Sequence, residues 1–459
     1  MVNSRKVLFV CLIFLLLGLF FLTGCSFLPP PANEKPGDEG INHGNEPEQP
    51  SNDDNGEQSV YPPDDNGTAS GDANENEEDL KDPDSYLEAQ IQEYIDNMTL
   101  RQKIGQMIIV GFEGLEPSDA VKKMIKDYHV GNVILFSRNV KDSYQLVKLN
   151  NDLKALNKDN PLPLIISADQ EGGRVTRLPE DATKFPANLV IGSRNSAQLA
   201  YDIGRVTGLE MKAYGFNLNF APVLDIFSNP KNTVIGDRAF GNTPGIVSEM
   251  GTALMKGLRD AGIIPVIKHF PGHGDTVVDS HIDLPSLDHS WERLESFELV
   301  PFKKAIEAEA DMVMVAHIVF PGIMEDELPA SLSREVISGL LREKLNFDGV
   351  VISDDMDMGA IVKYYGIEEA AVRAVLAGTD IVSVCHNYER QKQAFEAILT
   401  AVEDGTIPME RIEQSVRRII RLKLKYELTD EPADPDELYN VVGIEEHRAV
   451  ADKAWGKDS

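Results

Sequence analysis

Eight short runs rich in Val and Ile, separated by longer segments of helical period, constrain this chain more than any other feature. The runs are Gln106–Phe112, Asn132–Ser137, Leu164–Ala168, Asn217–Val223, Pro265–Lys268, Met312–Ala316, Gly349–Ser353 and Asp380–Val384. Helical segments are expected at Asp142–Leu156, Ser196–Tyr214, Pro244–Ala261, Trp291–Glu309, Arg334–Lys344, Glu368–Ala377 and Tyr388–Glu403. Such alternation marks parallel β/α units. Eight units in about 320 residues fit an α/β fold of the (β/α)8 TIM-barrel type, whose usual size is ~250 residues plus insertions. An open doubly wound sheet would instead place a ligand at one switch point. Polar groups follow six of the runs: Asp169, Asp225, Lys268-His269, His317, Asp354-Asp355 and His386. In a barrel these crowd one mouth, the face where barrel enzymes keep their sites.

The fifth run leads into Lys268-His269-Phe270-Pro271-Gly272-His273-Gly274-Asp275, continuing to Asp279-Ser280-His281. That density of titratable groups marks a loop built for chemistry. Gly272 and Gly274 suggest a backbone free to turn. Asp279 and His281, two apart, face the same side of an extended segment, where a carboxylate orients an imidazole and raises its basicity. The loop also offers His269, His273, Asp275, Asp279, His281 and Asp283 to a metal. None of the spacings matches a ligand motif, and Pro271-Gly272 excludes a helix between His269 and His273, so no metal is expected.

At the seventh run a strand delivers Asp354 to its tip, as a nucleophile or as a cap for the next helix, with Asp355 in a supporting role. At the third, Asp169 could accept hydrogen bonds from paired sugar hydroxyls. The following Gly172-Gly173 lacks the spacing of a phosphate loop. Arg174 would brace Asp169 or a neighbouring loop. Arg238 could bind a substrate oxygen, or pair with Asp237 or Asp225.

The first quarter is different material. Arg5 and Lys6, an apolar stretch from Val7 to Phe21, then Leu22-Thr23-Gly24-Cys25 give the order of a secretory signal. Its ending resembles the lipobox of bacterial lipoproteins, which implies lipid attachment at Cys25, a membrane anchor and an extracytoplasmic location. Residues 26–84, rich in Pro, Gly, Asn, Asp and Glu, read as a disordered tether. The tether carries about half of the net charge of −31. Acidity of this kind argues against nucleic-acid binding, which needs a basic face. The chain has 3 cysteines. With Cys11 in the signal and Cys25 lipidated, Cys385 is left alone and no disulfide framework is possible. The organisation expected is a signal peptide over 1–25, the tether over 26–84, a barrel over 85–430 and a C-terminal segment over 431–459.

With these residues in hand, the chain resembles glycoside hydrolase family 3, and within it the NagZ-type β-N-acetylglucosaminidases. The resemblance runs from about Asp96 to about Glu427 and rests on Lys268 to His281, Asp169-Gln170-Glu171-Gly172-Gly173-Arg174 and Ser353-Asp354-Asp355. It implies Asp354 as nucleophile and the Asp279/His281 pair as acid/base dyad. Asp169, Arg238, Lys268 and His269 would hold N-acetylglucosamine, with Arg174 as a further motif residue. It also implies a monomeric enzyme without cofactor, acting on peptidoglycan fragments. His447 to Ala454 looks like the approach to the second domain that many members carry. The alternatives are a β-glucosidase-like or phosphorolytic member, a metal-dependent hydrolase, and a non-catalytic wall-binding lipoprotein.

Overall fold

The computed structural model describes residues 83–457. The signal segment, Cys25 and nearly all of the expected tether lie outside the described residues. Eight strands follow in order: β1 Ile108–Val110, β2 Asn132–Leu135, β3 Ile165–Ala168, β4 Leu218–Asn219, β5 Ile264–Phe270, β6 Met312–Val315, β7 Val350–Asp355 and β8 Ile381–Val384. Each pairs in parallel with the next, and β8 returns to β1 with Ile108 opposite Val382, closing the ring. The expected barrel is therefore what forms.

The strands read as apolar runs because side chains inside the ring and side chains under the helices are both hidden from water. β1 to β6 and β8 are buried throughout, and only β7 gains exposure, at Asp354 and Asp355. Burial thus relaxes where the site begins.

All seven expected helical spans are helical, but two differ in pitch. Leu294–Glu298 and Glu335–Lys344 are wound as wider π turns. In the first, the turn lies ahead of Pro301, which has no amide hydrogen to give, and Leu299 N–H reaches Leu294 O five residues back. Further helices form at Pro83–Asn97, Leu100–Gln106, Asp119–Lys126, Met409–Lys425 and Glu445–Trp455. Gln106, expected to open a strand, instead ends a helix begun by a Thr99/Gln102 capping box.

Helix 409–425 closes the foot of the ring. Asp380, just before β8, accepts from Arg342 Nη2 at 2.5 Å, Arg411 Nη2 at 3.2 Å, Ser415 Oγ at 2.7 Å and the Val351 amide at 2.9 Å. Lys423 is buried, and its ammonium reaches Gln106 Oε1, Gly131 O and Pro163 O.

The segment expected to lead toward a second domain lies on the barrel helices. Glu210 on helix 197–213 accepts from His447 Nδ1 and the Gly443 amide, each at 2.9 Å. Trp455 Nε1 donates to Lys184 O at 3.0 Å. Among the described residues no helix is long and apolar enough to cross a membrane.

Candidate active site

At the C-terminal ends of the strands lies a cavity of about 480 Å³. Asp169, Lys268, His269, His281, Asp354 and His386 line it. Two of the six polar strand ends stand behind this wall. Asp225 carries the histidines of the β5 loop, and His317 is tied to Ser331 Oγ and to Asp355 O at 2.6 and 3.0 Å.

Asp354 sits at the tip of β7, and its Oδ1 accepts the Asp355 amide at 2.8 Å. Burial works against its ionised form. His317, His269 and that amide outweigh the penalty and hold the carboxyl below its usual range. Asp355 has the supporting role expected: its Oδ1 accepts the amides of Asp357 and Cys385, and its Oδ2 pairs with His386 Nε2 at 3.2 Å. That hydrogen bond raises the pKa of His386.

Facing it is a chain of alternating charges. Lys268 Nζ lies 2.7 Å from Asp169 Oδ1 and 2.7 Å from Glu171 Oε1. Glu171 in turn takes a bidentate pair from Arg238, Nε at 2.9 Å and Nη2 at 2.8 Å. Burial opposes ionisation of Glu171, and the two cations overcome it, so its pKa falls far below the usual range. Arg238 was expected to meet substrate, Asp237 or Asp225; its ion pair is with Glu171. Its former candidate Asp237 pairs with Arg174 Nε at 2.8 Å. Arg174 also donates to the carbonyls of Thr233, Val234 and Ile235, so it braces the loop after β4 and not Asp169.

The β5 loop divides into a fixed arm and an exposed turn. His269 Nδ1 lies 2.6 Å from Asp225 Oδ2. The His273 amide donates to Asp225 Oδ1 at 2.6 Å, and its ring meets Thr276 Oγ1 and Ser280 Oγ. Burial pushes His273 down to about 4, so its ring is neutral. Gly272 makes the turn expected of it, with φ +133°, and both glycines also allow close packing. A Cβ on Gly272 would lie 2.8 Å from Glu298 Cβ, and one on Gly274 would lie 1.8 Å from Ile226 O.

Asp279 and His281 meet as expected, but in a turn and not in an extended segment. Asp279 Oδ1 accepts the His281 amide at 2.9 Å and faces its Nδ1 at 2.8 Å, while Asp279 O accepts the amides of Ile282 and Asp283. A short carboxylate that can cap its own backbone favours the turn. Burial of Asp279 opposes its charge, and the two bonds from His281 outweigh that, lowering its pKa. The His281 side chain is 66% exposed.

Sequence reasoning named no role for Glu171 or Arg177. Glu171 had a signal, since it stands two residues from Asp169 and both reach the same lysine. Arg177 had none. It lines the cavity, makes no ion pair among the described residues, and gives Nη1 to Thr176 O while its Nε is buried without a partner. Of the other basic side chains on the wall, Arg174, Arg238, Lys268, His269, His281 and His386 stand beside carboxylates. Among the described residues no three His, Cys, Asp or Glu side chains converge as a metal-ligand set.

Residues 99–422 match the family described as glycosyl hydrolase family 3 N terminal domain. A solved family 3 β-N-acetylglucosaminidase from Paenibacillus sp. str. FPU-7 is similar, with a TM-score of 0.74 and 45% identity over 78% of this chain and 68% of that one. Beta-hexosaminidase A of Pseudoalteromonas piscicida is 34% identical over 367 residues, 72% of this chain and 61% of the relative. The beta-hexosaminidase of Thiobacillus denitrificans is 38% identical over 288 residues, 61% of this chain and 79% of the relative. The chain thus spans less than two thirds of the Pseudoalteromonas protein's length. On the match across its whole barrel, this chain belongs to glycosyl hydrolase family 3.

Proposed function

We propose that this chain is a retaining exo-β-N-acetylglucosaminidase that removes terminal N-acetylglucosamine from peptidoglycan fragments. The observation that carries the reading is one cavity wall shared by an ionised strand-tip carboxylate, Asp354, and a carboxylate-oriented imidazole, His281. The names of the relatives support the sugar. In this mechanism Asp354 attacks the anomeric carbon while His281 gives a proton to the departing oxygen. Water deprotonated by the same histidine then attacks the glycosyl-enzyme, and configuration is retained. Asp279 fixes the imidazole's orientation and stabilises its protonated form.

Asp169, which lines the cavity with one oxygen on Lys268, accepts sugar hydroxyls. Lys268, His269 and Arg238 complete that subsite, and Arg177 offers a donor that no carboxylate pairs with among the described residues. Arg174 acts through the loop it braces. Phosphate as acceptor is the second reading, favoured because a neutral imidazole repels an anion less than a carboxylate would. Lipid attachment at Cys25 and action outside the membrane as a monomer complete the proposal.

The test compares 4-nitrophenyl N-acetyl-β-glucosaminide with the matching β-glucoside, with and without phosphate and chelator. Preference for the first substrate, indifferent to chelator, is expected. Preference for the glucoside, or loss of rate in chelator restored by zinc, would overturn the reading. His281→Ala should slow basic leaving groups by ~10²–10⁴-fold while sparing the first turnover of the activated aryl glycoside.

A further inference from the structure

The turn that carries His281 has little apolar packing to hold it. Val277, Val278 and Ile282 are 67%, 42% and 65% exposed. Its position comes from polar contacts, one between Ser280 Oγ and the His273 ring and the others with the segment just after β7. The Gly359 amide donates to His281 O at 3.2 Å, and the Ala360 amide donates to Ser280 O at 3.1 Å. The Tyr364 hydroxyl donates to Asp283 Oδ1 at 2.5 Å, and this bond heads the causes that lower the pKa of Asp283.

The approach at Gly359 leaves no room for a side chain. A Cβ there would stand 2.6 Å from Ile282 O and 2.7 Å from His281 O. Both obstacles are backbone, so neither can swing aside as a side-chain tip would. Any larger residue at 359 must push the turn away from its seat. Neither Gly359 nor Tyr364 lines the cavity, and Tyr364 is 56% exposed.

We propose that Gly359 and Tyr364 are positioning residues that seat the acid/base turn against the strand bearing the nucleophile. The proposal rests on the roles given above to His281 and Asp354. Asp354 is the penultimate residue of β7 and the seat begins five residues later at Gly359, so both catalytic groups take their position from one strand and the segment that follows it. A change in the seat then alters the distance between proton donor and sugar without touching either group. Misplacement by about 1 Å costs roughly 10²-fold in comparable settings.

The experiment measures Gly359→Ala and Tyr364→Phe on two N-acetylglucosaminides, one with a basic alkyl leaving group and one with 4-nitrophenol. On the alkyl glycoside, Gly359→Ala should lose about 10²-fold in kcat. Tyr364→Phe, which removes one exposed hydrogen bond, should lose roughly two- to tenfold. The first-turnover burst of 4-nitrophenol should keep its wild-type rate in both, and Tyr364→Phe should unfold at the wild-type temperature. Wild-type rates on the alkyl glycoside in both variants would overturn the proposal, as would equal losses on the two substrates. His281→Ala serves as the reference. Leaving-group selectivity there but not in the seat variants overturns this proposal alone; its absence in His281→Ala overturns the functional reading and this one with it.

Discussion

The two ends of the barrel hold the same kind of material, buried carboxylates against buried cations, and leave it in opposite states. At the foot Asp380 is fully buried, and its two oxygens are filled by three arginines, Ser415 and an amide. Burial opposes its charge and the arginines outweigh that. At the mouth Asp169 keeps 18% exposure and, among the described residues, has one ion-pair partner, Lys268. A carboxylate whose acceptors are all taken can only hold parts together. One with an acceptor free beside a cavity can take a ligand. The difference lies in saturation, not in charge.

The largest effect expected from breaking this contrast is at the mouth. Asp354→Asn should abolish turnover in a chain that still folds. Near wild-type turnover in a folded variant would remove Asp354 from the mechanism. At the foot the pattern should invert. Asp380→Asn leaves arginines without their partner and should cost about 3–5 kcal/mol in denaturant unfolding, while turnover per folded molecule holds. A variant of normal stability would mean that the foot is not the clamp its geometry suggests.

The finest probe is Lys423. Burial lowers its pKa from 10.5 to about 7 in the folded chain. Between those values the unfolded chain binds more protons, so stability rises with pH across the window, and below about 7 the cost of charging Lys423 is fully present. The slope from one such group is at most ~1.4 kcal/mol per pH unit. Lys423→Met should flatten that climb, read as urea midpoints near neutral and near pH 9. Parallel slopes in wild type and variant would assign the pH dependence elsewhere.

The barrel was legible because strand periodicity and polar strand ends are local. Every run coincides with a strand, although β4 shrinks to Leu218–Asn219 and β1 to Ile108–Val110. Helix 409–425 escaped notice because its sequence gives no strand after it to complete a unit. In the site, Asp354, His281 and Asp279 were singled out by type and spacing; all three line one cavity, and Asp279 meets His281. The partner of Arg238 was not legible. Asp225 and Asp237 are its neighbours in sequence, whereas Glu171 stands 67 residues away and only folding brings it to Arg238 and Lys268. The glycines of the β5 loop were legible only in part. Glycine signals a turn and a close approach equally: Gly272 serves both, with φ +133° and Glu298 beside it, while Gly274 serves the approach of Ile226 O.

The ring itself has a history that the finished molecule hides. β1 completes its hydrogen bonds with β8, residues 108–110 against 382–384. On a ribosome the first strand is made long before the last, and during that interval its outer edge has no partner. Unpaired edges of apolar strands are where chains join the wrong neighbours. Closure must also gather ends separated by most of the barrel, which makes it a slow and late event. The charged clamp of Asp380 and the arginines of helix 409–425 forms at the entry to that same last strand. Its timing therefore makes it the bolt drawn after the door has shut.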